Sequence, residues 1–265
     1  MIRLIATDLD GTLLNNEHKI SDYNKKIISA VNEKGIKFIL STGRPTSAAT
    51  KFLDDLNIET DMISFNGAMI TDRKGNILYE DNLESNIGKE LIEIAKKYKV
   101  YYQGFLGERW NLSDSKSKWL DFYISIAKIN NYKLGFDNIK DFSFSKFMFI
   151  GENHILKEIA KEIDKKLKDK VYYTFSRPVY LEVHSPKVSK SNALSFLLKK
   201  YNIERENIMA FGDNNNDIEM LELAKISVAV ENAESIVKEK AKYITKSNIE
   251  NGVGYFINEY FNLGL

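Results

Sequence analysis

The pattern of apolar and polar positions changes character twice along this chain. At the start, short continuous apolar runs alternate with longer amphipathic stretches. Residues 2–7, IKFIL at 36–40 and MISF at 62–65 read as buried strands. Residues 21–34 read as a helix, with Ser21 as its N-cap and Gly35 just past its end. Pro45 opens a second helix that runs to about Leu56. Strands written as continuous apolar runs and separated by helices predict a parallel sheet covered on both faces.

The pattern then shifts. AMITDRKGNILYE reads as a hairpin turning at Arg73 to Asn76, and residues 86–98 read as a helix. Short aromatic-rich strands follow (VYYQGF, RWNL), then a helix near 116–128, the strand SKFMFI, a charged helix over about 153–168 and the strands VYYTF and VYLEV. From Ser189 the first pattern returns. It predicts a helix at 189–201, the strand NIMAF at 207–211, a helix after Asn215 and the strand ISVAV at 226–230. A helix near 234–240, a short strand YIT and a final helix near 252–261 complete it. An α+β segment is thus inserted between two α/β halves.

Composition narrows the function classes. With 265 residues and 43% hydrophobic content, the chain can build one large or two medium cores. Its 38 basic and 37 acidic residues leave a net charge of +1, which argues against broad nucleic-acid or membrane-surface binding but leaves room for a local basic pocket. Without cysteine there is no disulfide framework, thiolate zinc site or thiol nucleophile. No apolar run approaches the ~20 residues that span a bilayer, and no secretory signal is visible at the N-terminus. The expectation is a cytoplasmic protein, a monomer or small homo-oligomer, with no nucleic-acid or membrane partner.

Four sites fall at predicted strand ends or helix starts. The run LIATDLDGTLL carries an apolar strand straight into Asp8, Asp10, Gly11 and Thr12. Carboxylates at i and i+2 on a strand point to one side of the sheet. At ~4 Å they would repel by roughly 4 kcal/mol at an effective dielectric near 20, which a cation or shared proton relieves. One can then act as a nucleophile and the other as an acid/base, although a surface turn with capping aspartates has the same signature. Ser41-Thr42-Gly43-Arg44 follows IKFIL and precedes a helix, where hydroxyl and backbone N–H groups suit a phosphate, or simply cap the helix. Lys190 opens an apolar helix, where a cation is unfavourable for the helix dipole; this points to an anion nearby. Gly212-Asp213-Asn214-Asn215-Asn216-Asp217 crowds carboxylates and amides into one strand-to-helix turn; Asx residues are also ordinary loop formers. Parallel sheets place ligands at the carboxyl ends of strands, and carboxylate oxygens without His or Cys suit Mg²⁺.

Read in order, DLDGT, STGR, the lysine of VSKSNAL and GDNNND resemble the four motifs of the haloacid dehalogenase-like phosphohydrolases. The large insert between the second and third motifs is similar to that of the Cof-like group of sugar-phosphate phosphatases, as are SFNGAMI at 64–70 and GVGYF at 252–256. The resemblance spans the whole chain. It implies that Asp8 is a nucleophile forming an aspartyl-phosphate and that Asp10 protonates the leaving oxygen and then activates water. Thr42 and the backbone N–H of Gly43 would hold the transferring phosphoryl group, and Lys190 would neutralise it and orient Asp8. The side chains of Asp8 and Asp213 and the backbone carbonyl of Asp10 would ligate Mg²⁺. Asp217 would support the metal from behind those ligands, and Asn216 would contact phosphate or order the turn.

The predicted fold class is therefore α/β: a Rossmann-like doubly wound parallel sheet core over 1–81 and 185–265, with an inserted α+β cap over 82–184 whose helices lie on one face. The cap is expected to close over the core, exclude water and choose the substrate. The expected activity is Mg²⁺-dependent hydrolysis of small phosphorylated metabolites, sugar phosphates first, then pyridoxal phosphate or flavin mononucleotide. A hexose-phosphate phosphomutase and a non-enzymatic phosphosugar sensor are the alternatives. In VAVENA at 228–233, Glu231 stands where the group usually has a small residue; it either alters the charge of the site or is a solvated loop acid. His18, His154 and His184 lack metal-ligand spacing, though His184 lies near the return to the core and is a candidate to approach substrate. Trp110, Trp119 and the tyrosines at 101, 102, 172 and 173 read as packing residues, and Arg109 and Arg177 as surface residues or readers of a distal substrate group.

Overall fold

In the computed structural model of the chain, which describes residues 1–127 and 129–265, the first apolar run forms β1 (Leu4–Thr7), buried along its whole length. Helix α1 (Asp22–Glu33) starts where Ser21 Oγ accepts the Asn24 N–H, as its N-cap position predicts. Strand β2 (Lys37–Ser41) leads to α2 (Thr46–Leu56), which starts one residue after Pro45. Strands β3 (Met62–Ser64), β4 (Met69–Thr71) and β5 (Ile77–Glu80) complete the first half. The turn between the last two closes through the Gly75 N–H to the Asp72 carbonyl, within the predicted hairpin.

The inserted segment runs α3 (Ser85–Tyr98), β6 (Tyr101–Leu106), β7 (Arg109–Leu112), α4 (Lys118–Ala127), β8 (Tyr132–Leu134), β9 (Lys146–Ile150), α5 (Asn153–Leu167), β10 (Tyr172–Arg177) and β11 (Tyr180–His184). Position 128, which the pattern placed in α4, lies outside the described residues. β8 has no counterpart in the sequence reading, because three largely exposed residues carry no alternation to detect. The second half follows as α6 (Lys190–Tyr201), β12 (Ile208–Gly212), α7 (Ile218–Leu223), β13 (Ile226–Ala229), α8 (Ser235–Lys240), β14 (Tyr243–Ile244) and α9 (Gly252–Phe261). Helices α2, α6 and α9 each end on an asparagine in the left-handed region (Asn57, Asn202, Asn262), which asparagine tolerates better than most residues.

Residues 1–79 with 189–265 form one compact unit, and residues 80–188 form another. In the first, eight strands pair in the order β14–β13–β12–β1–β2–β3–β4–β5. The pairs from β14 to β3 are parallel, and β4 adds antiparallel. The chain winds outward from β1 in both directions, so β1 sits between β2 and β12 at the point where strand order reverses. Successive strand residues feed opposite cores. Ile5, Phe38 and Phe211 pack with Ile27, Phe52 and Val253 of α1, α2 and α9, while Leu4, Ile39 and Ala210 pack with Leu194, Leu221 and Val237 of α6, α7 and α8. This is the doubly wound α/β sheet predicted from the apolar runs. Among the described residues no helix is long and apolar enough to cross a membrane.

The second unit holds a six-stranded sheet in the order β10–β11–β9–β6–β7–β8. Leu91, Ile159 and Ile163 of α3 and α5 pack against Phe147, Phe149, Leu181 and Val183 on one face. The expectation that all its helices share that face is corrected by α4. Its Tyr123 ring lies 5.4 Å from Trp110 and 6.0 Å from Tyr180, whose side chains alternate away from the Phe147 and Leu181 face. The second face is polar as well as aromatic. Lys146 and Glu182, both almost fully buried, pair at 2.6 Å, and Ser176 Oγ donates to Glu182 at 2.7 Å. Burial alone would push the Glu182 carboxyl up, but the Lys146 ammonium, with His184 beside it, overrides burial and brings it down to about 2.

Replacing Lys146 by Met strands this carboxylate without its cation, which destabilises the unit by roughly 3–5 kcal/mol. Both tryptophans, Trp110 and Trp119, lie in residues 80–188, so fluorescence-detected urea unfolding reads this unit directly. Adding Glu182→Leu recovers most of the loss, because an apolar pair of similar volume replaces a buried ion pair at little net cost. A Lys146→Met variant with the parent's unfolding midpoint would mean that Glu182 is not held ionised by this pair.

Candidate active site

The carboxyl ends of β1, β2 and β12 lie side by side, and each opens into one of the polar motifs. β1 ends at Thr7, and the Asp8 N–H still donates to Phe211 O at 3.1 Å, so Asp8 hangs at the lip of the sheet. Its side chain is buried, at 6% exposure. Lys190, the first residue of α6, is 1% exposed and reaches the same spot from the other side of the chain. Its Nζ donates to Asp8 Oδ1 at 2.5 Å and to Asp217 Oδ1 at 2.6 Å. The anions expected beside a lysine in an unfavourable helix position are these two carboxylates. Burial by itself would lower the Lys190 ammonium, but Asp217 and Asp8 hold it above its ordinary value.

Asp217 is wholly buried and engaged at both oxygens, since Oδ2 accepts the backbone N–H groups of Asp213 and Asn214 at 3.0 Å each. Gly212 makes this turn possible: a Cβ there would come within 2.4 Å of Asp217 Cβ. Asp213 accepts from Thr12 Oγ1 at 2.8 Å. Gly11, at φ +81°, passes so close to Asp213 that a Cβ would meet Oδ2 at 2.4 Å. Asp8, Asp213 and Asp217 each offer a carboxylate oxygen within 4.8 Å of the others. Burial first, then the charge of its neighbours Asp217, Asp213 and Asp10, raises the Asp8 carboxyl well above its ordinary value against the pull of Lys190. Burial and Asp217 push Asp213 up to about 6. Three crowded carboxylates facing one cation are short of positive charge, and their hard oxygens fit a small divalent metal such as Mg²⁺.

Asp10 does not share that cluster. The period-two argument fails because the strand stops at Thr7 and the chain turns over Leu9–Leu13, with Asp10 at φ −78°, ψ 120° and Gly11 left-handed. The Asp10 carboxylate is exposed and accepts a two-pronged grip from Arg44, Nε to Oδ2 and Nη2 to Oδ1, both at 2.6 Å.

Thr42 is buried, and its Oγ1 accepts the Arg44 N–H at 3.1 Å. At Gly43 a Cβ would lie 2.7 Å from Asn66 Oδ1. Asn216 is exposed, and its Nδ2 donates to that same Asn66 oxygen at 2.9 Å, tying the turn after β12 to the segment after β3. Phe65, Asn66 and Gly67 have consecutive positive φ values of 52°, 59° and 105°. Gly67 is required there, since a Cβ would collide with Ser189 O at 2.2 Å. The SFNGAMI segment thus lets the chain pass against the start of α6.

Two residues gained no role in the sequence reading. Asn66 bridges Asn216 and lies beside Gly43. Asn232 donates to Gly11 O at 2.7 Å and accepts the Asn248 N–H at 2.9 Å, while Asn248 Nδ2 donates to Leu14 O at 2.8 Å. Both stand inside segments the sequence reading had marked, SFNGAMI and VAVENA. The neighbouring Glu231 is exposed, in keeping with a solvated loop acid. GVGYF packs the start of α9: a Cβ on Gly252 would strike Lys246 O at 1.9 Å, and the Gly254 N–H donates to Asn24 Oδ1 at 2.9 Å. His18 and His154 are exposed, as are Arg109 and Arg177. His184 is fully buried in β11, where Nδ1 donates to Ser145 O at 3.1 Å and Nε2 lies 3.8 Å from Glu182.

A family model for haloacid dehalogenase-like hydrolases matches residues 5–257. The chain is 32% identical to the 5-amino-6-(5-phospho-D-ribitylamino)uracil phosphatase YcsE of Bacillus subtilis, over 98% of this chain and 96% of that protein. It is 31% identical to YwtE, a phosphatase of the same name and organism, over 97% of this chain and 98% of that protein. Its fold superposes on a haloacid dehalogenase-like hydrolase from Bacteroides thetaiotaomicron with a TM-score of 0.91 at 28% identity, covering 98% of this chain and 100% of the other. With three motifs at the ends of β1, β2 and β12, Lys190 reaching Asp8 from the start of α6, and the match running nearly end to end, the chain belongs to the Cof-like haloacid dehalogenase-like hydrolases and is a phosphatase.

Proposed function

We propose that this phosphatase hydrolyses small phosphorylated metabolites, sugar and polyol phosphates first, with Mg²⁺ and through an aspartyl-phosphate. The observation that carries this reading is the buried Asp8 carboxylate, held by Lys190 and facing Asp213 and Asp217 at the point where strand order reverses. In the first step an Asp8 oxygen forms a bond to phosphorus while the ester P–O bond breaks, and Asp10 gives its proton to the leaving oxygen. In the second, Asp10 takes a proton from water as the water oxygen bonds to phosphorus and the Asp8–phosphorus bond breaks, releasing inorganic phosphate. Thr42 and the Gly43 N–H hold the phosphoryl oxygens, and the Lys190 ammonium offsets their charge. Asp8, the Asp10 carbonyl and Asp213 hold the metal, with Asp217 fixing the turn behind them. A bound Mg²⁺ supplies charge neutralisation between an anionic nucleophile and an anionic phosphate. Asn216 orders this turn through Asn66. The inserted unit is assigned the choice of leaving group. The phosphoribitylamino substrate in the names of YcsE and YwtE supports a polyol phosphate ester, and pyridoxal phosphate and flavin mononucleotide remain in the set to be assayed.

The test is phosphate release from a panel of these esters with and without Mg²⁺, together with thermal melts. Saturating Mg²⁺ at ~100 times its Kd should stabilise the parent by about 2.7 kcal/mol, a rise of several degrees in Tm. Asp213→Asn should lose both the Mg²⁺-dependent release and the Mg²⁺-induced rise. Because Asp213 is pushed up to about 6, protons compete for it, and the rise should shrink between pH 7 and pH 5. Full turnover in excess chelator, or an unchanged Mg²⁺ effect in Asp213→Asn, would remove the metal assignment.

A further inference from the structure

The second motif contains a cation that the proposed chemistry leaves without a task. Arg44 turns its guanidinium onto Asp10 with two parallel N–H···O bonds of 2.6 Å. Both ends of Arg44 are anchored. Its backbone N–H donates to Thr42 Oγ1 at 3.1 Å and its carbonyl accepts the Phe65 N–H at 3.0 Å. Its guanidinium carbon lies 5.4 Å from the ring centre of Phe52, itself a buried core side chain at 1% exposure. The Arg44 side chain is only 12% exposed, whereas that of Asp10 is 44% exposed. Asp10 sits on a turn, and besides Arg44 its carboxylate has His18 Nδ1 at 3.7 Å. A rigid, half-sunken fork thus grips an exposed carboxylate on a two-torsion side chain.

We propose that Arg44 is a positioning residue for Asp10, fixing its plane and rotamer and offsetting the negative charge that appears on it when it gives up its proton. The inference rests on the phosphatase mechanism proposed above. A planar guanidinium matches a carboxylate at two points and stays charged throughout, so it orients the group without exchanging protons with it. Each Asp10 oxygen keeps a second lone pair, which carries the proton to the leaving oxygen in the first step and receives one from water in the second. As the ester P–O bond breaks, the proton moves from Asp10 to the leaving oxygen and the new carboxylate charge develops against Arg44. The geometry of a proton donor matters most when the leaving oxygen is basic, and little when it departs as a stable anion.

The experiment compares the parent, Arg44→Ala, Arg44→Lys and Asp10→Asn, all with saturating Mg²⁺, on a series running from 2,4-dinitrophenyl phosphate through phenyl phosphate to glycerol phosphate. The readout is kcat/KM against the basicity of the leaving oxygen. General acid catalysis contributes typically ~10²–10⁴-fold, so Arg44→Ala should fall by ~100-fold or more on the basic leaving groups and by less than ~10-fold on dinitrophenyl phosphate. Asp10→Asn should show the same slope, and adding Arg44→Ala to Asp10→Asn as a fifth variant should lose little more than either single substitution. Arg44→Lys, a point charge without the fork, should fall in between and keeps the test open if the alanine variant folds poorly. An equal loss on every leaving group, in either Arg44 variant, would overturn the inference and make Arg44 a general structural or substrate-binding residue. If the parent hydrolyses none of these esters, the proposed mechanism fails and takes this inference with it. If the parent hydrolyses them and the slope is unchanged, only the role of Arg44 fails.

Discussion

Replacing Asp8 by Asn is expected to abolish turnover, by at least ~10⁴-fold, while leaving the fold intact. Asn keeps the size and most of the hydrogen-bonding shape of Asp but cannot form an acyl phosphate. Its effect on stability has the opposite sign to the usual core substitution. The Asp8 carboxyl is raised by burial first, then by Asp217, Asp213 and Asp10, so folding disfavours its ionised form, a cost that Asn removes. Tm should therefore hold steady or rise as activity disappears. Acid-quenched parent given substrate should carry one phosphoryl group by intact mass, and the variant none. Residual Mg²⁺-dependent turnover close to the parent's would show that another group attacks phosphorus.

Lys190→Met is expected to lose activity and stability together. The ammonium is the shared donor to Asp8 and Asp217, and it is itself 1% exposed. Removing it leaves two buried carboxylates facing each other, a change that costs roughly 3–5 kcal/mol near neutral pH in comparable buried pairs. The pH dependence identifies the cause. Lys190 is held above its ordinary value, so its own contribution is complete below about pH 10 and is lost only as pH rises through its raised value. Between pH 5 and pH 7 it does not vary. Asp8, raised and now unpaired, takes up a proton as pH falls, which relieves the repulsion. The variant's deficit in urea unfolding should thus be large at pH 7 and clearly smaller at pH 5. Equal deficits at the two pH values would mean that lost packing, not stranded charge, destabilises the variant.

The alternation of short apolar runs with amphipathic stretches was enough to read the α/β class, because a strand buried on both faces and a helix buried on one leave different periodicities in the chain itself. Helix starts were legible for the same local reason at Ser21, read as an N-cap, whose side-chain oxygen accepts an N–H three residues on; Ser189, read as the first residue of its helix, proves to cap it in the same way. The placing of four polar motifs at strand ends or helix starts was legible too, since each motif directly follows an apolar run or opens a helix. Boundaries moved by a residue or two, as at Pro45, where sequence pattern and hydrogen bonding define the start differently. β8 and the side of the sheet taken by α4 were not legible, because three exposed residues carry no period and an amphipathic helix does not record which face it will cover.

What local pattern could not supply is who meets whom. Asp8 and Asp10 look equivalent in DLDGT, yet one is buried on Lys190 and the other is exposed on Arg44. That division follows from where β1 stops pairing and from the left-handed turn at Gly11, and both are decided by the neighbouring strands. The partners of this site lie 182 residues apart for Asp8 and Lys190, 34 for Asp10 and Arg44, and 150 for Asn66 and Asn216. Chain distances of that size are invisible to any window of sequence. The chain alone determined which residues are apolar, charged or free to turn, because those are properties of single residues and their near neighbours. Only the tertiary structure decided which carboxylates share a cation, because burial and pairing arise when strands distant in the chain become adjacent in the sheet.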